Sequence, residues 1–155
     1  MTKRQSILLT ISARGDGDRY PVVALACGLR DRGHRVTVLC DEATSKLIAS
    51  TGLATLIIPP EHGQDKFHRR WWQEFNEKGS EPDENTENLI AAWGIATQPF
   101  VQEAVSKVKP NLIVSTLLCM GLADALATHN GIPWCFVNPV FDTAGSRDNS
   151  CDTIS

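Results

Sequence analysis

The apolar run Ile7-Leu8-Leu9-Thr10-Ile11 leads into a glycine-bearing loop, Ser12 to Tyr20, after which Pro21 begins a helical pattern. A buried strand that turns through glycines into a helix is the opening unit of an open α/β sheet. In such sheets ligands bind at the carboxyl ends of the strands, beside the first β–α junction. Asp16 and Asp18 sit in this junction, flanked by Arg14 and Arg19. A turn needs little acid to form, so these carboxylates are the first candidates for chemistry. The bland alternative is a solvated turn in which Asp18 caps the helix begun by Pro21.

The same alternation continues along the chain. Gln5 to Ile11 reads as the first strand. Pro21 to Arg32 reads as a helix with Val22, Leu25, Ala26 and Leu29 on one face and Gly33 as its stop. His34 to Cys40 is a second strand, Glu42 to Thr51 a short helix, and Leu53 to Ile58 a third strand closed by Pro59-Pro60. A long helix follows from about Glu87 to Lys109. Leu89, Trp93, Ala96, Phe100, Ala104 and Val108 recur in it at helical spacing, and Pro99 is expected to kink it. Asn111 to Ser115 is a fourth strand, Met120 to His129 a helix facing inward through Leu122, Ala125 and Leu126, and Trp134 to Val137 a fifth strand. Repeated strand–helix–strand units imply a parallel sheet with right-handed crossovers. The expected architecture is an α/β, Rossmann-like three-layer domain with strand order 3-2-1-4-5.

The expected domain spans residues 1–143, with 61–88 as an inserted surface region and 144–155 as a loose polar tail. The insert is acid-rich and carries Phe67, Trp71, Trp72 and Phe75. Its tryptophans either wall a pocket for an apolar acceptor, or form a membrane-facing surface, or pack the insert onto the domain. Trp93 and Trp134 read as core.

Composition narrows the function classes. At 155 residues and 42% apolar content the chain can build one real core. A net charge of −3 argues against nucleic acid as a partner. No apolar run approaches a membrane span, and the N-terminus lacks a signal-peptide pattern. The five cysteines, Cys27, Cys40, Cys119, Cys135 and Cys151, form no CxxC and suit a reducing cytosol. His34, His62, His68 and His129 do not make a metal set, and no metal site is expected.

In order along the chain stand Arg14-Gly15-Asp16, Pro21 to Ala26, and Leu29-Arg30-Asp31-Arg32-Gly33-His34-Arg35-Val36. Further on come Lys109-Pro110-Asn111-Leu112-Ile113-Val114, Gly131-Ile132-Pro133 and Asn138-Pro139. The set resembles the N-terminal, acceptor-side half of GT-B glycosyltransferases, nearest the sterol, antibiotic and macrolide enzymes. The match covers about Ser6 to Phe141, without the insert. Ser12-Ala13 replaces the family's Gly-Thr. The spacer from Asp16 to Pro21 is longer than usual, so either Asp16 or Asp18 takes the position of the base. The loop has no histidine, and Thr116 stands where such relatives carry an acidic residue.

The resemblance implies an inverting, metal-independent transfer of a sugar (hexosyltransferase type) to an acceptor hydroxyl. Asp16 would be the base, with Asp18 as substitute. The acceptor would meet Arg14, Thr116, Leu117, Met120, Asn138 and Phe141, with Trp71 and Trp72 from the insert. No cofactor is held tightly; a nucleoside-diphosphate sugar is the co-substrate. The partners implied are a small-molecule or lipid-like acceptor and a donor-binding C-terminal half or subunit, without which this half is inactive. The implied location is cytoplasmic or peripheral to the membrane.

Two other readings compete. The chain could be a non-catalytic binding or partner module of the same fold. A nicotinamide-binding Rossmann domain would use Gly15-x-Gly17 and Asp41, but Tyr20 replaces the third glycine and Asp16 and Asp18 would repel a pyrophosphate. A receiver-like domain is disfavoured because the third strand ends in Ile58-Pro59-Pro60, with no phosphorylatable Asp.

Overall fold

The computed structural model describes residues 3–12, 16–64 and 84–138, together with Gln73 and Glu77. Of the side chains within that range, those of 16–18 and 84–87 are not described. Arg14, Trp71, Trp72 and Phe141, and the proposed tail, lie outside the described residues.

The strands are β1 (Ser6–Thr10), β2 (Arg35–Cys40), β3 (Ala54–Ile57), β4 (Leu112–Ser115) and β5 (Trp134–Phe136). They form one sheet of order β3-β2-β1-β4-β5, and every pairing is parallel. The helices are α1 (Asp16–Asp31), α2 (Glu42–Ile48), α3 (Glu84–Val108) and α4 (Met120–Asn130). Single 3₁₀ turns occupy Ala49–Thr51, Pro60–His62 and Leu117–Cys119.

A central parallel strand is covered on both faces, which is why β1 has no polar alternation. Ile7 and Leu9 pack with Val22 and Ala26 of α1, Val36 and Val38 of β2, and Val114 of β4. Leu8 packs on the other side with Trp93, Val101 and Val105 of α3 and Leu122 and Leu126 of α4. Each such side chain contributes about 1.5–3 kcal/mol by leaving water. The result is the three-layer arrangement expected from the alternation.

Three local expectations are corrected. First, α1 begins at Asp16 rather than Pro21, which lies inside the helix. Pro21 removes one ladder hydrogen bond, but carboxylates in a first turn suit the positive end of a helix dipole. Asp18 therefore belongs to the helix and is not a cap ahead of Pro21. Second, the buried line of α3 is Trp93, Thr97, Val101 and Val105, whereas Phe100 is 55% exposed. Phe100 instead stacks on the His62 ring, with centroids 3.5 Å apart. Third, Trp134 is only half-buried, because β5 is the edge of the described sheet; it packs against the α3–α4 core from there.

The end of α1 follows glycine chemistry. Gly33 has φ +90°, its N–H donates to Arg30 O at 2.8 Å, and His34 N–H donates to Leu29 O at 3.2 Å. That left-handed position costs a residue with a Cβ about 1–2 kcal/mol. Gly33→Ala is expected to lower stability by about 1 kcal/mol in denaturant titration, and an unchanged midpoint would refute the account.

Trp93 ties the segment after β3 to α3. It is 1% exposed, and its Nε1–H donates to His62 O at 2.9 Å. Trp93→Ala is expected to cost about 3–5 kcal/mol, read by circular dichroism in denaturant. Trp93→Phe keeps most of the packing and should cost less than half as much.

Candidate functional site

Register places the strand ends at one edge. Thr10 lies opposite both Leu39 and Ser115, and Ser115 lies opposite Phe136. Ile11 N–H then donates to Leu39 O at 3.1 Å and Val137 N–H to Ser115 O at 2.8 Å, so pairing continues one residue past the strands. Beyond it come Ser12 after β1, Asp41 after β2, Thr116 to Met120 after β4 and Asn138 after β5. The strand order reverses direction between β1 and β4, and a crevice opens at such a switch point.

Buried at this edge is a hydroxyl network. Thr10 Oγ1 donates to Ser115 Oγ at 2.8 Å, and Ser115 Oγ donates to Thr116 O at 3.1 Å. Thr10, Ser12, Ser115 and Thr116 are all 1% exposed or less. Thr10, Ser12 and Ser115 were not singled out from the sequence. The available signal was four hydroxyl residues at the ends of strands otherwise built from Ile, Leu and Val.

Of the acceptor-binding candidates, the structure brings four to this edge. Thr116 is buried, while Leu117 and Met120 are 49% and 39% exposed and form an apolar rim. Asn138 is exposed after β5. Asp16 and Asp18 stand in the first turn of α1, at the same edge. Arg14, Phe141, Trp71 and Trp72 lie outside the described residues.

Gln64 is a further participant that sequence patterns did not reveal. It is 6% exposed, and its Nε2 donates to Leu118 O at 2.7 Å and lies 3.4 Å from Cys119 Sγ. It pins the chain leading toward the insert onto the loop after β4. A lone glutamine in a polar stretch gives no periodic signal of burial.

Asp41, the acid that a nicotinamide site would need, has a structural task. Its Oδ1 accepts from Thr44 N–H at 2.8 Å and caps α2. Asp41→Ala is expected to cost about 1 kcal/mol, measured as a fall in denaturation midpoint.

The cysteines behave as small apolar residues where they are buried. Cys40 and Cys119 are buried and Cys135 is exposed. Burial, with a smaller contribution from the Asp41 carboxylate, pushes the Cys40 thiol up from 9.0 to about 12, against an opposing pull from Arg19. In a mildly alkaline alkylation time course, peptide mapping should find Cys135 modified well before Cys40. Because the folded value lies above the unfolded one, Cys40 adds stability that is complete below about pH 9 and declines as pH rises toward about 12.

Two of the described histidines make structural contacts. His34 Nδ1 accepts from Gln5 N–H at 3.1 Å, and His62 stacks on Phe100. Among the described residues no group of three or more His, Cys, Asp or Glu could hold a metal ion. No described helix is long and apolar enough to cross a membrane.

No protein-family model matches the chain. It is 30% identical over 129 residues to an L-demethylnoviosyl transferase of Streptomyces niveus, a match covering 83% of this chain and 33% of that protein. The glycosyltransferase from Streptomyces nogalater superposes with a TM-score of 0.63 at 17% identity, over 88% of this chain and 35% of that one. A glycosyltransferase of Streptomyces sp. SF2575, solved with thymidine diphosphate, gives 0.61 at 21% identity, over 85% and 38%. The chain spans about a third of the length of the relatives it matches. It carries the Rossmann-like domain fold of the GT-B glycosyltransferases and counts a glycosyltransferase among its sequence relatives.

Proposed function

We propose that this chain is the acceptor-side half of an inverting, metal-independent glycosyltransferase. The sugar would come from a nucleoside diphosphate and go to an acceptor hydroxyl. The observation that carries the reading is the carboxyl edge of β1 and β4. There the first turn of α1, with Asp16, and the exposed apolar pair Leu117 and Met120 both follow strand ends of one sheet edge, in a chain 30% identical to a sugar transferase. Thymidine diphosphate bound to a structural relative supports a nucleotide-sugar donor.

The chemistry follows from the groups at that edge. An alcohol is a poor nucleophile until its proton is removed. Asp16, or Asp18 in its place, accepts that proton. The alcohol oxygen bonds to the anomeric carbon from the face opposite the leaving group, and the nucleoside diphosphate departs with the bond's electron pair. Attack from that side inverts the anomeric centre. A donor-binding half would neutralise the diphosphate with a helix N-terminus and side chains, so the reading needs no metal.

Leu117, Met120 and Asn138 contact the acceptor, with Arg14, Phe141, Trp71 and Trp72 completing its pocket. The apolar rim favours a hydrophobic small molecule or lipid-like alcohol. The test is reconstitution: this chain, a donor-binding half, a nucleotide-sugar and a panel of apolar alcohols. Transfer is expected only in the mixture. Acceptor binding with no transfer in any mixture would favour the partner-module reading instead.

A further inference from the structure

Gln64 is buried, although it lies in a polar stretch of the chain. Its backbone is braced just upstream. The 3₁₀ turn Pro60–His62 precedes it, and Gly63 N–H donates back to Pro60 O at 3.2 Å. His62 O accepts from Trp93 Nε1 at 2.9 Å and from Thr97 Oγ1 at 3.5 Å, and the His62 ring stacks on Phe100. Three side chains of α3 thus fix the residue two places before Gln64.

The segment that Gln64 reaches is held at its ends. Ser115 is fixed by strand pairing on both sides, and Gly121 by the close approach of its backbone to Gly94. Between them the turn Leu117–Cys119 starts at Thr116 and α4 starts at Cys119, and neither start has a side-chain cap. Helix starts leave backbone groups in need of partners, so an uncapped one is loosely set by its own chain. Into this stretch Gln64 Nε2 donates to Leu118 O at 2.7 Å, and it lies 3.4 Å from Cys119 Sγ. Leu117 and Met120, on either side of those two contacts, are exposed.

We infer that Gln64 is a positioning residue for acceptor selectivity: its amide fixes the Leu117–Cys119 turn, and through it the angle at which Leu117 and Met120 meet an apolar acceptor. The inference rests on the reading of that pair as acceptor contacts. A rim fixed in advance loses less freedom on association and so binds more tightly. It also admits fewer shapes, whereas a mobile turn repacks around several. A primary amide suits the task because it donates to a carbonyl without bringing a charge into a buried place.

The test compares the wild-type 155-residue chain with Gln64→Met and Gln64→Glu. Methionine fills nearly the same volume but has no donor. Glutamate keeps the shape, yet at neutral pH it turns only acceptor oxygens toward Leu118 O. In both variants hydrogen exchange at the amides of Cys119 and Met120 should quicken about fivefold or more, the weight of one net hydrogen bond. Exchange in β1 and in the Leu122 to Leu126 stretch of α4 should stay as in the wild type. In the reconstituted enzyme KM for the apolar alcohols should rise about 5–10-fold. The kcat at saturating acceptor should stay within about twofold, and the spread of kcat/KM across the panel should narrow. A packing role alone would leave Gln64→Met like the wild type.

Wild-type exchange at Cys119 and Met120 in both variants overturns the proposal. So does faster exchange with an unchanged acceptor KM, provided that Leu117→Ala raises that KM. If Leu117→Ala leaves it unchanged as well, the acceptor reading of Leu117 and Met120 fails and takes the proposal with it.

Discussion

Asp16→Asn is expected to lower sugar transfer by the reconstituted enzyme about 10²–10⁴-fold, the usual contribution of a positioned general base. That range corresponds to about 2.7–5.5 kcal/mol of transition-state stabilisation. Asparagine keeps the size and hydrogen-bonding reach of aspartate but cannot accept the alcohol's proton. Acceptor affinity should change little, so the loss should fall on kcat rather than KM. Asp18→Asn serves as the paired control. If it, and not Asp16→Asn, abolishes turnover, the base is the second carboxylate of the same helical turn. If neither variant loses more than a few-fold, deprotonation by this junction is wrong.

Gly121→Ala is expected to cost about 3 kcal/mol or more, and Gly94→Ala a similar amount. Helices α3 and α4 cross at these two glycines. A Cβ built on Gly121 falls 2.6 Å from Ile90 O and 2.8 Å from Ala91 Cα. One built on Gly94 falls 2.5 Å from Gly121 O, and nearer still to that residue's carbonyl carbon. These neighbours are backbone atoms, so no rotamer change can relieve the overlap. The helices would have to separate, and both carry the core that covers one face of β1 and β4: Trp93, Val101 and Val105 from α3, Leu122 and Leu126 from α4. Overpacking of side chains typically costs about 1–3 kcal/mol; backbone against backbone belongs at or above the top of that range. Total stabilities are only about 5–15 kcal/mol, so either variant should lower the denaturation midpoint steeply. A loss below about 1 kcal/mol would mean that the two helices do not cross where the structure puts them. Activity is a second readout, because α4 begins at Met120, directly after the loop that carries Thr116 and Leu117.

Local chemistry carried most of the architecture. Unbroken apolar runs such as Ile7 to Leu9 and Leu112 to Val114 mark strands buried on both faces, and their alternation with helices forces parallel pairing through crossovers. Gly33 and Gly131 stop their helices through left-handed backbones. These are short-range effects, so a sequence displays them. The first β–α junction was legible for the same reason, as a strand, a turn and two carboxylates in sequence. What it did not show was that the helix reaches back over those carboxylates to Asp16, because Pro21 is a strong helix-start signal and outweighed the acidic first turn.

What only the tertiary structure decided are contacts between segments far apart in the chain. Gln64 bonding Leu118 O, Trp93 reaching His62 O, the crossing of Gly94 on Gly121 and the pairing of Thr10 with Ser115 each join residues that no local pattern relates. The exposure of Phe100 belongs with them, since its stacking partner lies before the insert. Helical spacing says which residues share a face; the position of the neighbouring layer decides which face is buried. Sequence alone thus determined the layers and which loops follow the strand ends, because both are written in short-range patterns. Packing decided which hydroxyls are buried at that edge, because burial depends on which distant segments meet there.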